Sequence, residues 1–387
     1  MKKIRFGLLP AIIVAILLGI LIGMLSPKWI LKSLATFNSL FGGFLQFVVP
    51  LIIIGFVAPG IGKLGAKAGK LLGITTLIAY ISTIIAGSLA FLSGSSIFPL
   101  FLKTGSLAID AKNPEEALVT PYFSLEFEPI MGVMSALILA FTLGLGMAAI
   151  KGSALLKITE EFGEIVGKLI KVVIIPLLPF HILGIFANMT YTGEVAIILT
   201  VFAKVFVIVI ILHILYLLLQ YSVAGALSKQ NPFQLLKNML PAYFTALGTQ
   251  SSAATIPVTM EQTKKNGVKE SVAHFVIPLS ATIHLSGSTI TIVSCSIAVM
   301  MLHDMSISFL TFLPFILMLG VTMVAAPGIP GGAIMAALGP LESILGFDGT
   351  LLSLMIALYI AQDSFGTACN VTGDGAIAMI VNKIRGE

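Results

Sequence analysis

An all-α integral membrane protein, with eight transmembrane helices and two re-entrant helical hairpins, is the fold class that this sequence of 387 residues predicts. Three observations carry it. Hydrophobic residues make up 57% of the chain and charged residues 10%, a balance that suits lipid as the solvent and not water. Long apolar runs recur from end to end, with no hydrophilic block large enough for a separate soluble domain, so 1–387 reads as a single membrane domain. Two of the apolar stretches are broken in the middle by Gly, Ser and Pro.

The uninterrupted runs fall at 6–25, 36–59, 71–97, 131–150, 166–190, 195–226, 272–302 and 351–382. Each is long enough to cross about 30 Å of hydrocarbon at a rise of 1.5 Å per residue. Met1-Lys2-Lys3-Ile4-Arg5 ahead of the first run imitates the start of a signal peptide. The run is too long for the apolar region of such a peptide and ends without a small-x-small cleavage pattern, so a retained first span is expected.

The interrupted stretches are 233–258, broken by Gly248-Thr249-Gln250-Ser251-Ser252-Ala253-Ala254, and 307–346, broken by Ala326-Pro327-Gly328-Ile329-Pro330-Gly331-Gly332. An opened turn at membrane depth leaves amide and carbonyl groups without helical partners, and is tolerated only where they face protein or a wet cavity. Such turns therefore mark binding sites, and their paired occurrence points to an inverted-repeat transporter.

With both stretches as hairpins, Lys2, Lys3, Arg5, Lys63, Lys67, Lys70, Lys151, Lys157, Lys229, Lys237, Lys264, Lys265, Lys269, Lys383 and Arg385 share one side of the membrane. Only Lys28, Lys32, Lys103 and Lys112 fall opposite, which puts both termini in the cytoplasm and the chain in the plasma (inner) membrane. The net charge of +5 is thus a topology signal spread over short loops, and no nucleic-acid partner is expected. Cys295 and Cys369 lie in apolar segments without CxxC or histidine spacing, so neither a disulfide nor a zinc site is expected.

Of seventeen acidic residues, Asp363 and Asp374 alone lie well inside an expected span. Charge at that depth costs roughly 2.5 to 3.5 kcal/mol or more, so each needs a partner. Asp363, Thr367, Asn370 and Asp374 stand at i, i+4, i+7 and i+11, which places them on one helical face. The two carboxylates are about 16 Å apart by helical rise, too far to share a proton as an aspartyl dyad. A His-Glu-x-x-His motif is absent as well, and no catalytic constellation survives, so an enzyme is not expected. One acid is left to pair with an ammonium and the other with a bare cation, since sodium favours hard oxygen ligands.

The run 272–302 is itself interrupted in polarity by Ser280-Ala281-Thr282-Ile283-His284-Leu285-Ser286-Gly287-Ser288-Thr289. Small hydroxyl residues around His284 suggest unwound backbone that offers carbonyls to an ion. His181 and His213 read as structural histidines, and Lys204 as a lysine that snorkels or finds a structural partner.

Four blocks resemble the dicarboxylate/amino acid:cation symporters, which include the glutamate transporter homologues. They are Ser251-Ser252-Ala253-Ala254-Thr255-Ile256-Pro257-Val258-Thr259-Met260, Pro278-Leu279-Ser280-Ala281-Thr282-Ile283, Gly328-Ile329-Pro330-Gly331-Gly332, and Asn370-Val371-Thr372-Gly373-Asp374, spread over about 233–385. The resemblance implies a homotrimer whose subunits move a transport domain (mainly 71–97 and 195–385) like an elevator along a trimerisation scaffold (mainly 1–60 and 131–190). It implies that Asp363 holds a substrate ammonium, that Asn370 and the first hairpin tip at Ser251 and Ser252 hold the α-carboxylate, and that Ile329 to Gly331 form the gate. Ser288, Gly366 and Thr367 complete the implied substrate site. Asp374 and Asn370 are the implied sodium ligands, with Ser280, Thr282, His284, Ser286 and the carbonyls of 324–326 around further ion positions.

Acidic-substrate members carry an arginine three residues after the ammonium-binding aspartate, where this chain has Gly366; where some members have another arginine, the first hairpin has Gln250. Without a guanidinium a substrate side-chain carboxylate would be buried unpaired. The chain therefore resembles the neutral branch, including the sodium:serine/threonine symporters. The block His284-Leu285-Ser286-Gly287-Ser288 stands where the family has Asn-Met-Asp-Gly-Thr, which removes one intramembrane carboxylate. Sodium-coupled uptake of serine, threonine, alanine or similar amino acids is the expected function. The alternatives are a proton-coupled carrier in which His284 titrates and an uncoupled anion or solute channel on the same hairpins.

Overall fold

In the computed structural model, which describes residues 8–66, 70–102, 119–125, 127–150, 153–193, 195–326 and 330–385, every regular element is helical. Helices α1 (Leu8–Leu25), α2 (Lys28–Ala66), α3 (Lys70–Ile97) and α4 (Val133–Ile150) come first. Next, α5 (Ala154–Leu169) runs through a π-helical turn at Ile170–Ile174 into α6 (Ile175–Tyr191), and α7 (Val195–Ser228) follows. The first interrupted stretch folds as α8 (Pro232–Thr249) and α9 (Ser252–Lys265), and the second as α12 (Phe309–Ala325) and α13 (Gly332–Leu345). Between them α10 (Glu270–Ile283) and α11 (Ser286–Leu302) form one broken rod, and α14 (Gly349–Arg385) closes the chain.

Six of these units are long and apolar enough to cross a bilayer: Lys28–Gly62, Leu71–Leu100, Ala154–Tyr191, Leu199–Ser228, Glu270–Leu302 and Gly349–Ile384. With α1 and α4, each of 18 residues and about 27 Å long, they match the eight expected spans. The fifth span begins at Ala154 rather than 166 because α5 is amphipathic. It buries Thr159, Gly163 and Val166 and exposes Lys157, Glu161 and Glu164, so an apolar-run criterion misses its first half.

Lipid-facing and buried surfaces separate by helical period. Leu77, Ile81 and Ile85 on α3, and Val207, Ile211 and Leu215 on α7, are exposed apolar residues four apart. Every residue of α11, by contrast, is buried. Helices α1, α2, α4, α5 and α6 pack chiefly on one another, while α3, α7, the first hairpin and α10–α11 gather around α14. Small residues permit the closest approaches in the first group: a side chain on Gly163 of α5 would run into the carbonyl of Gly55 on α2. Lys204 finds an aromatic partner, its Nζ 5.5 Å from the centre of the Phe101 ring.

Candidate functional site

The site is assembled on α14. Its polar stripe is buried along its whole length: Asp363, Thr367, Asn370 and Asp374 are each 5% exposed or less. Three kinds of irregular backbone meet it, and each does so for a local reason.

Both hairpin tips arrive at adjacent residues. In the first hairpin, α8 ends on Gln250 in the left-handed region at φ 53°, and Ser251 caps α9 by accepting a hydrogen bond from Ala254 N at 3.3 Å. That sharp reversal turns Gln250 so that its Nε2 donates to Ser364 Oγ at 2.9 Å. Ser252, the first residue of α9, is buried beside it in sequence. In the second hairpin, Gly331 precedes α13 at φ 72°, a conformation that glycine adopts without steric cost, and its amide donates to Asp363 Oδ2 at 2.7 Å. Asp363 thus acts as the N-terminal cap of α13, a favoured place for a carboxylate because the helix end carries partial positive charge. Ile329, the expected gate residue beside Gly331, lies outside the described residues.

The break between α10 and α11 is held open from α14. His284 N still bonds to Ser280 O at 2.9 Å, but the amides of Gly287 and Ser288 leave the helical ladder and both donate to Asn370 Oδ1, at 2.8 and 3.2 Å. Asn370 Nδ2 donates to Ser288 Oγ at 3.0 Å, and Tyr359 OH donates to the same oxygen at 2.8 Å. Asn370, expected to touch both substrate and sodium, therefore has both ends of its amide engaged by the broken rod. Gly287 is where three helices converge: His213 Nε2 donates to its carbonyl at 2.9 Å, and an added Cβ would lie 2.5 Å from Gly366 O and 2.6 Å from Cys369 Cβ. Gly287→Ala is accordingly expected to cost about 1–3 kcal/mol through forced separation of the helices, seen as a lower thermal midpoint of the purified protein.

Below this level, His284 Nδ1 lies 2.9 Å from Asp374 Oδ1. An ionised carboxylate only accepts, so Nδ1 carries the proton and Nε2 is free to accept in turn. Ser82 Oγ stands 2.9 Å from that Nε2, with Gln220 Nε2 at 3.3 Å, and Tyr216 OH is 2.8 Å from Ser82 Oγ. Both nitrogens of His284, expected among the ion ligands, are thus directed at protein groups. Asp374 Oδ2, Ser280 Oγ, Ser286 Oγ and Thr372 Oγ1 are buried oxygens with no hydrogen-bond partner among the described residues. Such oxygens suit a hard cation. Thr282 does not join them by its side chain, which is exposed and donates to Leu279 O at 2.8 Å.

Ser82, Tyr216, Gln220 and Tyr359 were not singled out from the sequence. Gln220 is a carboxamide inside a strongly apolar span, which is a usable signal; Ser82 and the tyrosines are ordinary in such helices and carry none.

Residues 8–384 match the family model described as the sodium:dicarboxylate symporter family. The chain belongs to that family. It is a multi-pass membrane protein of a family of symporters and not an enzyme, as the absence of any catalytic constellation in the sequence suggested. Among the described residues no lysine or arginine is paired with Asp363, Ser364, Thr367 or Asn370.

Proposed function

We propose that this chain is a sodium-coupled symporter of small neutral amino acids, of the serine, threonine and alanine class. The observation that carries the proposal is the placement of Asp363. It is buried, it lies beside the contact of the first hairpin tip with Ser364, and it bonds the second tip directly, with no basic side chain recorded against it among the described residues. A buried carboxylate between two gates, shared with a backbone amide and lacking a cationic side chain, is suited to an ammonium group.

In this reading the α-amino group binds Asp363, and the α-carboxylate binds at Ser251 and Ser252, where the N-terminal amides of α9 present positive charge. Ser288, Gly366 and Thr367 surround the substrate side chain, and Ile329 with Gly331 forms the gate. Asp374, Ser280, Ser286 and the backbone at Thr282 and His284 receive sodium, while Asn370 holds the broken rod in the shape that exposes them. The packing of α3, α7, the first hairpin and α10–α11 around α14, while α1, α2 and α4–α6 pack chiefly on one another, supports an elevator in which 71–97 and 195–385 move against 1–60 and 131–190. A homotrimer in the plasma membrane with cytoplasmic termini completes the proposal.

Purified protein in liposomes is expected to accumulate labelled serine when an inward sodium gradient is imposed, and to lose that accumulation when choline replaces sodium. Equal uptake in choline defeats the sodium assignment. A proton-coupled carrier is the second reading, favoured by the contact of His284 Nδ1 with Asp374 Oδ1. It requires accumulation driven by a proton gradient in the absence of sodium, and its loss in His284→Gln. Flux that never exceeds equilibrium under either gradient would instead indicate a channel.

A further inference from the structure

A cavity of about 610 Å³ lies away from the hairpin tips, between α2, α6, the start of α14 and the segments 119–125 and 127–129. Its floor is a bridge between the two groups of helices. His181 on α6 places Nδ1 3.2 Å from Asn38 Oδ1 on α2 and Nε2 2.9 Å from Ser353 Oγ on α14. The ring is buried, Phe41 packs on it at 4.9 Å between centroids, and Asn38 in turn lies over Gly184. Its roof is pinned across the first group, with Val119 N donating to Asn188 Oδ1 at 3.1 Å and Tyr122 N to Thr36 Oγ1 at 2.9 Å.

The levels of these contacts are unequal. Asn38 stands ten residues from the start of α2 and His181 ten from the end of α6, which is about 15 Å along either helix, whereas Ser353 stands four residues into α14, about 6 Å. In the proposed topology all three ends face outward, so the start of α14 sits about 9 Å below the rim of the first group. Its surroundings agree: Phe347, Leu351 and Leu352 around the helix start are buried, as they would not be at a rim. The cavity is the space above that lowered start.

We propose that this cavity is a control site for small aromatic or aliphatic amines, and that its occupant holds the transporter with α14 lowered; this effect on movement rests on the elevator reading above. The wall sets the ligand class. Glu128 is its acidic residue, no lysine or arginine lines it among the described residues, and the hydroxyls of Ser124 and Thr350 offer oxygen acceptors beside apolar Phe127 and Ile185, while Asn38 and Asn188 direct their side-chain oxygens to His181 and Val119. A cation with an apolar body is matched on both counts. The volume lies within the range of small-molecule sites. Because α14 must rise into this space on its way outward, an occupant and the raised state exclude each other.

The test uses the full-length Ser39→Cys variant in liposomes, since Ser39 lines the cavity and takes no part in the hairpin site, and Cys295 and Cys369 are both buried. Its thiol is expected to react with aminoethyl methanethiosulfonate in preference to the sulfonatoethyl reagent by about tenfold beyond the ratio seen with a free thiol. Adding Glu128→Gln is expected to bring that preference close to the free-thiol ratio. Tryptamine at millimolar concentration is expected to slow the modification at least threefold, and glutamate to leave it unchanged. Modified protein is expected to bind labelled serine as before and to transport it at least tenfold more slowly. Equal reagent preference with and without Glu128, or no protection by tryptamine, overturns the site. Normal transport by modified protein overturns its control of movement. Reagent preference and protection are read without any transport, so an error in the proposed substrate shows itself separately, as absent uptake by unmodified protein.

Discussion

Asp363→Asn is expected to weaken binding of neutral amino acids by two to three orders of magnitude while leaving the fold and the second hairpin in place. Asp363 is 4% exposed and gives one oxygen to the Gly331 amide. Asparagine keeps an acceptor of the same shape for that amide, so the cap on α13 survives. What it loses is the charge, and an ammonium brought into a buried site without its counter-charge costs roughly 3 to 5 kcal/mol. Asp363→Ala removes the charge and the cap together. It leaves the Gly331 amide without its partner, at a further cost of about 1 to 3 kcal/mol, so alanine is expected to lower the thermal midpoint where asparagine does not. Equilibrium binding of labelled serine, with thermal unfolding of the same preparations, checks both. A dissociation constant for the asparagine variant within tenfold of wild type would move the ammonium site elsewhere on the molecule.

Gly366→Arg is expected to reverse the preference of the transporter from serine toward aspartate. The glycine lies one turn beyond Asp363, and a Cβ built on it makes only ordinary contacts, 3.6 Å from Ser288 N and 3.7 Å from Gly287 C. The first atom of a larger side chain therefore fits, in contrast to Gly287 on the facing rod, where the same addition meets backbone at 2.5 Å. From Gly366 a guanidinium reaches the region of Ser288 that the proposal assigns to the substrate side chain. It would bind a second carboxylate in bidentate fashion, and with serine it would stay desolvated and unpaired. Both effects act in one direction, so the ratio of competition constants for serine and aspartate is expected to change by at least a hundredfold, about 2.7 kcal/mol. Monodisperse Gly366→Arg protein that still prefers serine as strongly as wild type would detach this position from the substrate side chain and remove the main support for the neutral branch.

Much of the architecture was legible in the chain alone, because lipid leaves a backbone few choices. A run of about twenty apolar residues in a bilayer can only be a helix, which is why α1, α3, α4 and α7 appear close to their expected places. The two tips were legible for the converse reason: Gly, Ser and Pro cannot continue such a helix, and they interrupt it at Gln250–Ser251 and ahead of Gly331. The stripe Asp363, Thr367, Asn370 and Asp374 followed from helical period and from the cost of charge at depth. The order of partners along that stripe was a tertiary matter. Periodicity says which side chains share a face and nothing about what faces them, so the capping of α13 by Asp363, the bracing of Gly287 and Ser288 by Asn370, and the pairing of Asp374 with His284 emerged only from the packed helices. The same limit hid Ser82, Tyr216 and Gln220, whose contacts with each other and with His284 join positions 64 to 202 residues apart. It also hid the partners of His181, Asn38 on α2 and Ser353 on α14, which lie 143 and 172 residues away. Which helix a buried histidine ties to its own depends on which helix lies across from it, and that is decided by how the helices are set against each other, not by any spacing within one of them.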